Sequence, residues 1–282
     1  MQLSLGQCAT LACLLEATAP KVGNVHRGAD FEDLTFHDFV ASAVAIGPVF
    51  DSAAGGGVGH LVLEAIKATR RVVATNTNLG MALLFAPLAA VPPGEKLTTA
   101  SVGQVLKRLT ADDSRDVYAA IRLAKPGGMG QAEKMDVAGE APADLLVAMR
   151  AAAGRDWVAR QYVEDFQLVL EETLPEIVAG RDRGWSLTDS IVHTHVALIA
   201  EHGDSLIQRK AGPEIAGRAS TIARQVVAAG QPGDEDYYAA LADFDFWLRS
   251  DGNRRNPGTT ADLIAAALFA GLRDGILPPP WR

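Results

Sequence analysis

Apolar residues in this chain recur at the spacing of a helix and almost never at that of a strand. Leu11, Leu14 and Leu15 fall at one-turn spacing, and Leu61, Leu63, Ala65, Ile66 and Val73 continue a similar pattern. A period near 3.6 places such residues on one buried face of an α-helix. Comparable segments lie near residues 34–52, 100–109, 113–124, 143–150, 156–180, 187–202, 215–229, 235–249 and 260–273. Thr35 with Asp38, Asp112 to Asp116 in a first turn, and Thr188-Asp189 before Ile191 read as helix starts. Gly180, Gly230 and Gly275 read as helix ends. Runs of alternating Val, Ile and Thr are nearly absent, and no Asn-Gly or Asp-Gly turn separates two such runs. The sequence therefore predicts an all-α fold. We expect a single domain over residues 1–282, a bundle of about ten or more helices with its functional loops between them.

Five short polar, glycine-rich islands interrupt this pattern, at residues 19–25, 75–80, 126–130, 202–210 and 255–263. Each places small residues beside Lys, Arg, Asn, Asp or a hydroxyl, a combination that lets a ligand approach the backbone and be gripped there. In the fourth, Asp204 and Ser205 precede Arg209 and Lys210 by about one turn. A carboxylate with a hydroxyl suits Mg²⁺, and two cations suit phosphate. The plainer reading is a helix end at Gly203 with Asp204 capping the next turn. In the fifth, Gly258, Thr259 and Thr260 open a helix carrying Asp262, and free N–H groups at a helix start bind anions. In the second, Asn76, Thr77 and Asn78 precede Gly80 and a very apolar helix, so they need partners if buried; Asn carboxamides can read a sugar hydroxyl or a base edge. Lys21 in the first island has the look of a solvated turn residue. The third, Pro126 to Gly130, lacks the strand-then-helix context of a dinucleotide fingerprint.

The net charge of −8 over 282 residues argues against a general nucleic-acid binder. Cys8 and Cys13 lie five residues apart and point to different helix faces, so they are expected as reduced thiols. Glu16 interrupts the first apolar run, which argues against a signal peptide, and the apolar stretch Leu79 to Val91 is too short to span a bilayer. A cytoplasmic protein without membrane attachment is the expectation, and a helical chain this rich in Ala could bury a flat face in a homodimer. His193 and His195 are two apart and make a poor metal pair.

The order of the islands resembles that of the triphosphoribosyl-dephospho-CoA synthase family, which serves citrate lyase and malonate decarboxylase. The family's Pro-Lys-Pro-Gly-Leu-Val-Asp is similar to Pro20-Lys21-Val22-Gly23-Asn24-Val25-His26. Its Gly-Ala-His-x-Asp run is similar to the segment Gly28 to Asp33, and its Asn-Thr-His-Lys-Gly to Asn76-Thr77-Asn78-Leu79-Gly80. Asp204-Ser205-Leu206-Ile207 resembles its Asp-Thr/Ser-x-Leu/Ile, and Asn256 to Leu263 its Asn-x-Ser-Pro-Gly-Gly-x-Ala-Asp-Leu. The likeness runs in order along nearly the whole chain. Asn78, Leu79 and His26 depart from the family's His, Lys and Asp, which marks a divergent branch.

The resemblance implies a transferase that moves the triphosphoribosyl group of ATP to the 2′-hydroxyl of 3′-dephospho-CoA and releases adenine, with Mg²⁺ accompanying ATP. It implies Lys21, Arg209 and Lys210 for phosphates, and Asp33, Asp204 and Asp262 for the catalytic and metal roles. Asn76, Thr77 and Asn78, with Gly80 and Ser205, would contact the nucleotide, and Gly258, Thr259 and Thr260 would hold an anion. The departures motivate one alternative, a ribosyl transferase from ATP to another alcohol acceptor, for example in making a pterin C1 carrier. A non-catalytic helical nucleotide-binding protein is the other.

Overall fold

A computed structural model describes residues 3–52, 56–128 and 135–281. Among these residues the chain is all-α, with fourteen α-helices and no sheet. They are α1 (Leu5–Thr18), α2 (Phe36–Asp51), α3 (Val58–Arg70), α4 (Leu79–Ala89), α5 (Thr99–Leu106), α6 (Ala111–Ala124) and α7 (Leu145–Ala152). The second half carries α8 (Trp157–Val163), α9 (Leu174–Asp182), α10 (Leu187–His202), α11 (Ser205–Ala211), α12 (Pro213–Ala228), α13 (Glu235–Arg249) and α14 (Gly258–Arg273). No described helix is long and apolar enough to cross a membrane.

Two helices form the centre. Every residue of α4 is buried except Gly80, and from Thr259 to Leu272 every residue of α14 is buried except Asp262. A helix apolar all round must be surrounded by others, and α1, α3 and α10 pack around these two. Phe85 of α4 stacks on Phe269 of α14 at 4.8 Å between ring centres, and Phe50 of α2 meets Phe85 edge-on at 5.9 Å. Burial of each such ring is worth roughly 1.5–3 kcal/mol. Gly6 of α1 lets that helix close on α2, because a methyl there would strike the Gly47 carbonyl. A smaller apolar cluster joins α10, α12 and α13 around Ile199, Tyr237 and Phe244.

Local signals set most boundaries. Thr35 and Asp38 form a reciprocal capping box at the start of α2, and Thr110 with Asp113 does the same for α6. At the end of α14, Gly275 adopts φ +71°. Its N–H donates to Leu272 and that of Ile276 to Gly271, a Schellman ending that an L side chain would strain. Three expectations are corrected. The segment 156–180 is not one helix: Asp165 and Phe166 take positive φ after α8, and a π-helical segment, Leu168–Thr173, precedes α9. The break leaves Phe166 fully buried against Tyr162, and Gln161 Oε1 takes the Val169 N–H. Gly180 does not end a helix either. It lies inside α9 where a methyl would overlap Ser190 and Trp185, and the positive-φ turn comes at Gly184. Ser186, not Thr188, caps α10.

Cys8 and Cys13 are both buried free thiols, and burial pushes Cys8 up to about 11. His193 and His195 go to separate partners, the Tyr237 hydroxyl and the Val22 carbonyl.

Candidate active site

Three of the five islands stand at helix starts, because small and polar residues end one helix and cap the next. The second leads into α4, the fourth into α11 and the fifth into α14. Side chains tie them together. Asn24 Nδ2 donates to Asn256 Oδ1 at 2.6 Å, linking the first island to the fifth. Ser205 Oγ donates to Thr259 Oγ1 at 3.1 Å, linking the fourth to the fifth. The Gly80 and Asp262 positions, the gaps in the buried runs of α4 and α14, meet each other: a methyl at Gly80 would overlap the Asp262 carboxylate.

Around this meeting point lies a cavity of about 580 Å³. Asp33, Asn76, Thr77, Asn78 and Gly80 reach its wall from one side. Arg209, Lys210, Gly258, Thr259 and Asp262 reach it from the other. Pro126 and Gly127 of the third island also line it; Met129 and Gly130 lie outside the described residues. Its acids are the buried Glu16, the half-buried Asp156 and Asp262, and the exposed Asp33. The exposed Lys125 and Arg155 and the half-buried Arg209 and Lys210 are its cations. Val117, Ile121, Leu145 and Met149 of α6 and α7 form an apolar wall.

Asp262 is the most perturbed carboxyl. Burial pushes it well above the ordinary Asp value, and the charges of Glu16, Asp156 and Asp204 push the same way, with Arg209 opposing. Arg209 is itself fixed, by an ion pair to Asp156 at 2.9 Å. Lys210 Nζ donates to Asn253 Oδ1 at 3.3 Å. Asn253 Nδ2 in turn donates to Asp33 Oδ1 at 2.8 Å, so cation and carboxylate share one amide. Burial lowers the Lys210 value, and Asp33 works against that.

Four predicted residues are not brought to the cavity wall: Lys21, Asp204, Ser205 and Thr260. Lys21 is fully buried rather than solvated, and its Nζ pairs with Glu16 Oε1 at 2.8 Å. Asp204 caps α11, accepting from the Leu206 and Ile207 N–H groups, while its other oxygen accepts from Thr260 N–H at 2.7 Å and Thr260 Oγ1 at 2.8 Å. The anion held at the start of α14 is thus a carboxylate of the chain itself. Thr77 and Asn78 are buried and partnered, by Ser42 and Thr69, as so apolar a neighbourhood requires. Asp33, Asp204 and Asp262 do not come together as a metal cage: among the described residues no group of three or more His, Cys, Asp or Glu is placed to hold a metal.

Sequence reasoning missed Glu16, Asp156 and Asn253. Glu16 carried a signal, an acid inside an apolar helix with a Lys five residues on. Asp156 and Asn253 lie outside every island and carried none.

Fold and site together define an all-α protein with a pocket lined by both carboxylates and cations. The profile of the ATP:dephospho-CoA triphosphoribosyl transferase (CitG) family matches residues 2–278, and the chain belongs to that family. A crystal structure from Archaeoglobus fulgidus, of a protein provisionally named triphosphoribosyl-dephospho-CoA synthase, shares the fold. Its TM-score is 0.64 at 24% identity, covering 86% of this chain and 100% of that one. No curated protein matches the sequence.

Proposed function

We propose that this enzyme transfers the triphosphoribosyl group of ATP to the 2′-hydroxyl of 3′-dephospho-CoA and releases adenine. Family membership supplies the reaction class. The single observation that carries the reading is the placement of Asp262, a carboxyl with a strongly raised titration, in a cavity that Lys and Arg side chains also line.

The chemistry assigns the parts. The bond from the ribosyl carbon C1′ to the adenine nitrogen breaks, and its electron pair leaves with adenine. A bond from C1′ to the acceptor oxygen forms, and the hydroxyl proton ends on adenine. A base must hold that proton in between, and a carboxyl whose value is raised keeps a proton more firmly than an ordinary Asp does. Asp262 is that base. Positive charge builds on C1′ as the old bond lengthens, and fixed negative charge in a dry site lowers its energy. Arg209 and Lys210 hold the triphosphate, with Lys125 and Arg155 available to the acceptor's diphosphate. Asn76 contacts the ribose or adenine, while Thr77 and Asn78 position that loop through Ser42 and Thr69. The apolar wall of α6 and α7 takes the less polar part of the substrates.

Mg²⁺ would neutralise triphosphate charge, and it usually takes only one or two carboxylates beside phosphate oxygens and water. The lack of a three-carboxylate cage among the described residues fits an ion carried in with ATP. Asp33, near Lys210, is the carboxylate to contribute to it.

ATP labelled in the γ-phosphate tests the transfer. The label should move to a species with the acceptor's thiol, in equal amount to the adenine formed. Label that stays with free ribose triphosphate would show hydrolysis, and label on a different added alcohol would reassign the acceptor.

A further inference from the structure

Glu16 is the residue the transfer reading leaves unused. It sits in the last turn of α1, 2% exposed, and lines the cavity. Its two oxygens are treated differently. Oε1 is taken by Lys21 Nζ at 2.8 Å, and Lys21 also donates to the Glu16 carbonyl at 2.5 Å. Oε2 is buried and has no hydrogen-bond partner. Lys21 does not reach the cavity wall, so the cation grips the carboxylate from behind.

A pair of this kind is poor value as a structural brace. Taking two charges out of water costs several kcal/mol each, recovered only when every remaining lone pair is satisfied. Apolar side chains of the same volume would fill the space as well or better. An unsatisfied oxygen of a buried carboxylate on a cavity wall needs an explanation of its own. Asp262 supplies the context: both carboxyls line the same cavity, and of the charges acting on Asp262 that of Glu16 has the largest effect.

We propose that Glu16 is a second carboxylate of the reaction centre, with Oε2 set against the ribosyl carbon on which positive charge develops. This rests on the transfer reading above. The two acids then divide the work. Asp262 accepts the acceptor's proton and passes it to the departing adenine. Glu16 makes and breaks no bond and acts by its fixed charge. Lys21 is a positioning residue: it orients Glu16 and opposes the effect of burial, which pushes the Glu16 carboxyl up. This gives a role to a lysine that the resemblance assigns to phosphate and that the fold seals away from the cavity.

The test compares the wild-type enzyme, Glu16→Gln and the double variant Glu16→Met/Lys21→Met. Glu16→Gln keeps the acceptor for Lys21 and removes the charge. The double variant removes both charges and protects the fold if an unpaired Lys21 destabilises the single one. Each is measured for melting temperature, Mg-ATP affinity by calorimetry, and adenine release with dephospho-CoA. We expect folded Glu16→Gln to bind Mg-ATP within about 3-fold of wild type and to lose about 100-fold or more in kcat. The folded double variant should lose at least as much in kcat. A kcat within about 3-fold of wild type in either folded variant would overturn the proposal. A parallel loss of affinity and kcat would also overturn it, by making Glu16 a ground-state binding group. If wild type releases no adenine, the transfer reading itself fails and this inference falls with it. That outcome is distinct, because it appears before any substitution.

Discussion

Asp262 shows how far one side chain can be pushed by its surroundings. A raised value in the folded chain means that the folded state keeps this proton to higher pH than the unfolded state does. Its contribution to stability is then undiminished below the ordinary Asp value of 3.8 and declines as pH rises through the folded value. Asp262→Asn removes that penalty. The variant should melt at a higher temperature than wild type at neutral pH, with the gap closing toward pH 3.8, while adenine release falls by about 10²–10⁴-fold. An unchanged melting temperature at neutral pH would contradict the burial argument; unchanged release would remove Asp262 as the base. Asp204 is the opposite case, a carboxylate with all its partners in the protein. Asp204→Ala strips two N-cap bonds from α11 and two bonds from Thr260. Chemical denaturation should show a loss of about 2–4 kcal/mol.

At the scale of elements, the site depends on two buried helices beginning at the same place. Gly80 and Asp262 meet because α4 has no side chain at the position where α14 has its only acid. Gly80→Ala must move that carboxylate. We expect Gly80→Ala to fold with a small change in melting temperature and to lose most of its kcat; retention of full activity would show that the contact does not position the base. Elements of this kind were partly legible in the sequence. Capping chemistry is local, so Thr35–Asp38 and Gly275 could be read from a few residues. The break after Val163 could not, because it answers to the burial of Phe166, a tertiary demand. The same division runs through the site. Ten of the fourteen predicted residues reach the cavity, since glycine-rich islands must lie between helices. The direction each side chain takes there depends on its partner from a distant element. Lys21 looks solvated in a one-dimensional reading because its neighbour Glu16 lies behind a turn. Asp204 looks like a metal ligand until Thr260, 56 residues on, claims its second oxygen.

For the molecule as a whole, burial of ionisable groups sets the response to pH. His195 is fully buried and titrates at about 3 instead of 6.5, first through burial and then through Lys21, with the Val22 carbonyl acting the other way. The unfolded chain takes up this proton near 6.5 and the folded chain does not, so His195 costs stability as pH falls from 6.5 toward 3. Urea midpoints measured across that range should fall for wild type and fall less for His195→Gln. The helical frame otherwise does one thing for function: it brings residues of all five islands to one cavity lined by both carboxylates and cations, where we propose that a nucleotide is opened at its glycosidic bond. Adenine release from Mg-ATP, with and without dephospho-CoA and followed by chromatography, tests that claim most directly. The account predicts release that requires dephospho-CoA and matches it in stoichiometry. Tight Mg-ATP binding with no adenine released, whatever alcohol is added, would contradict it.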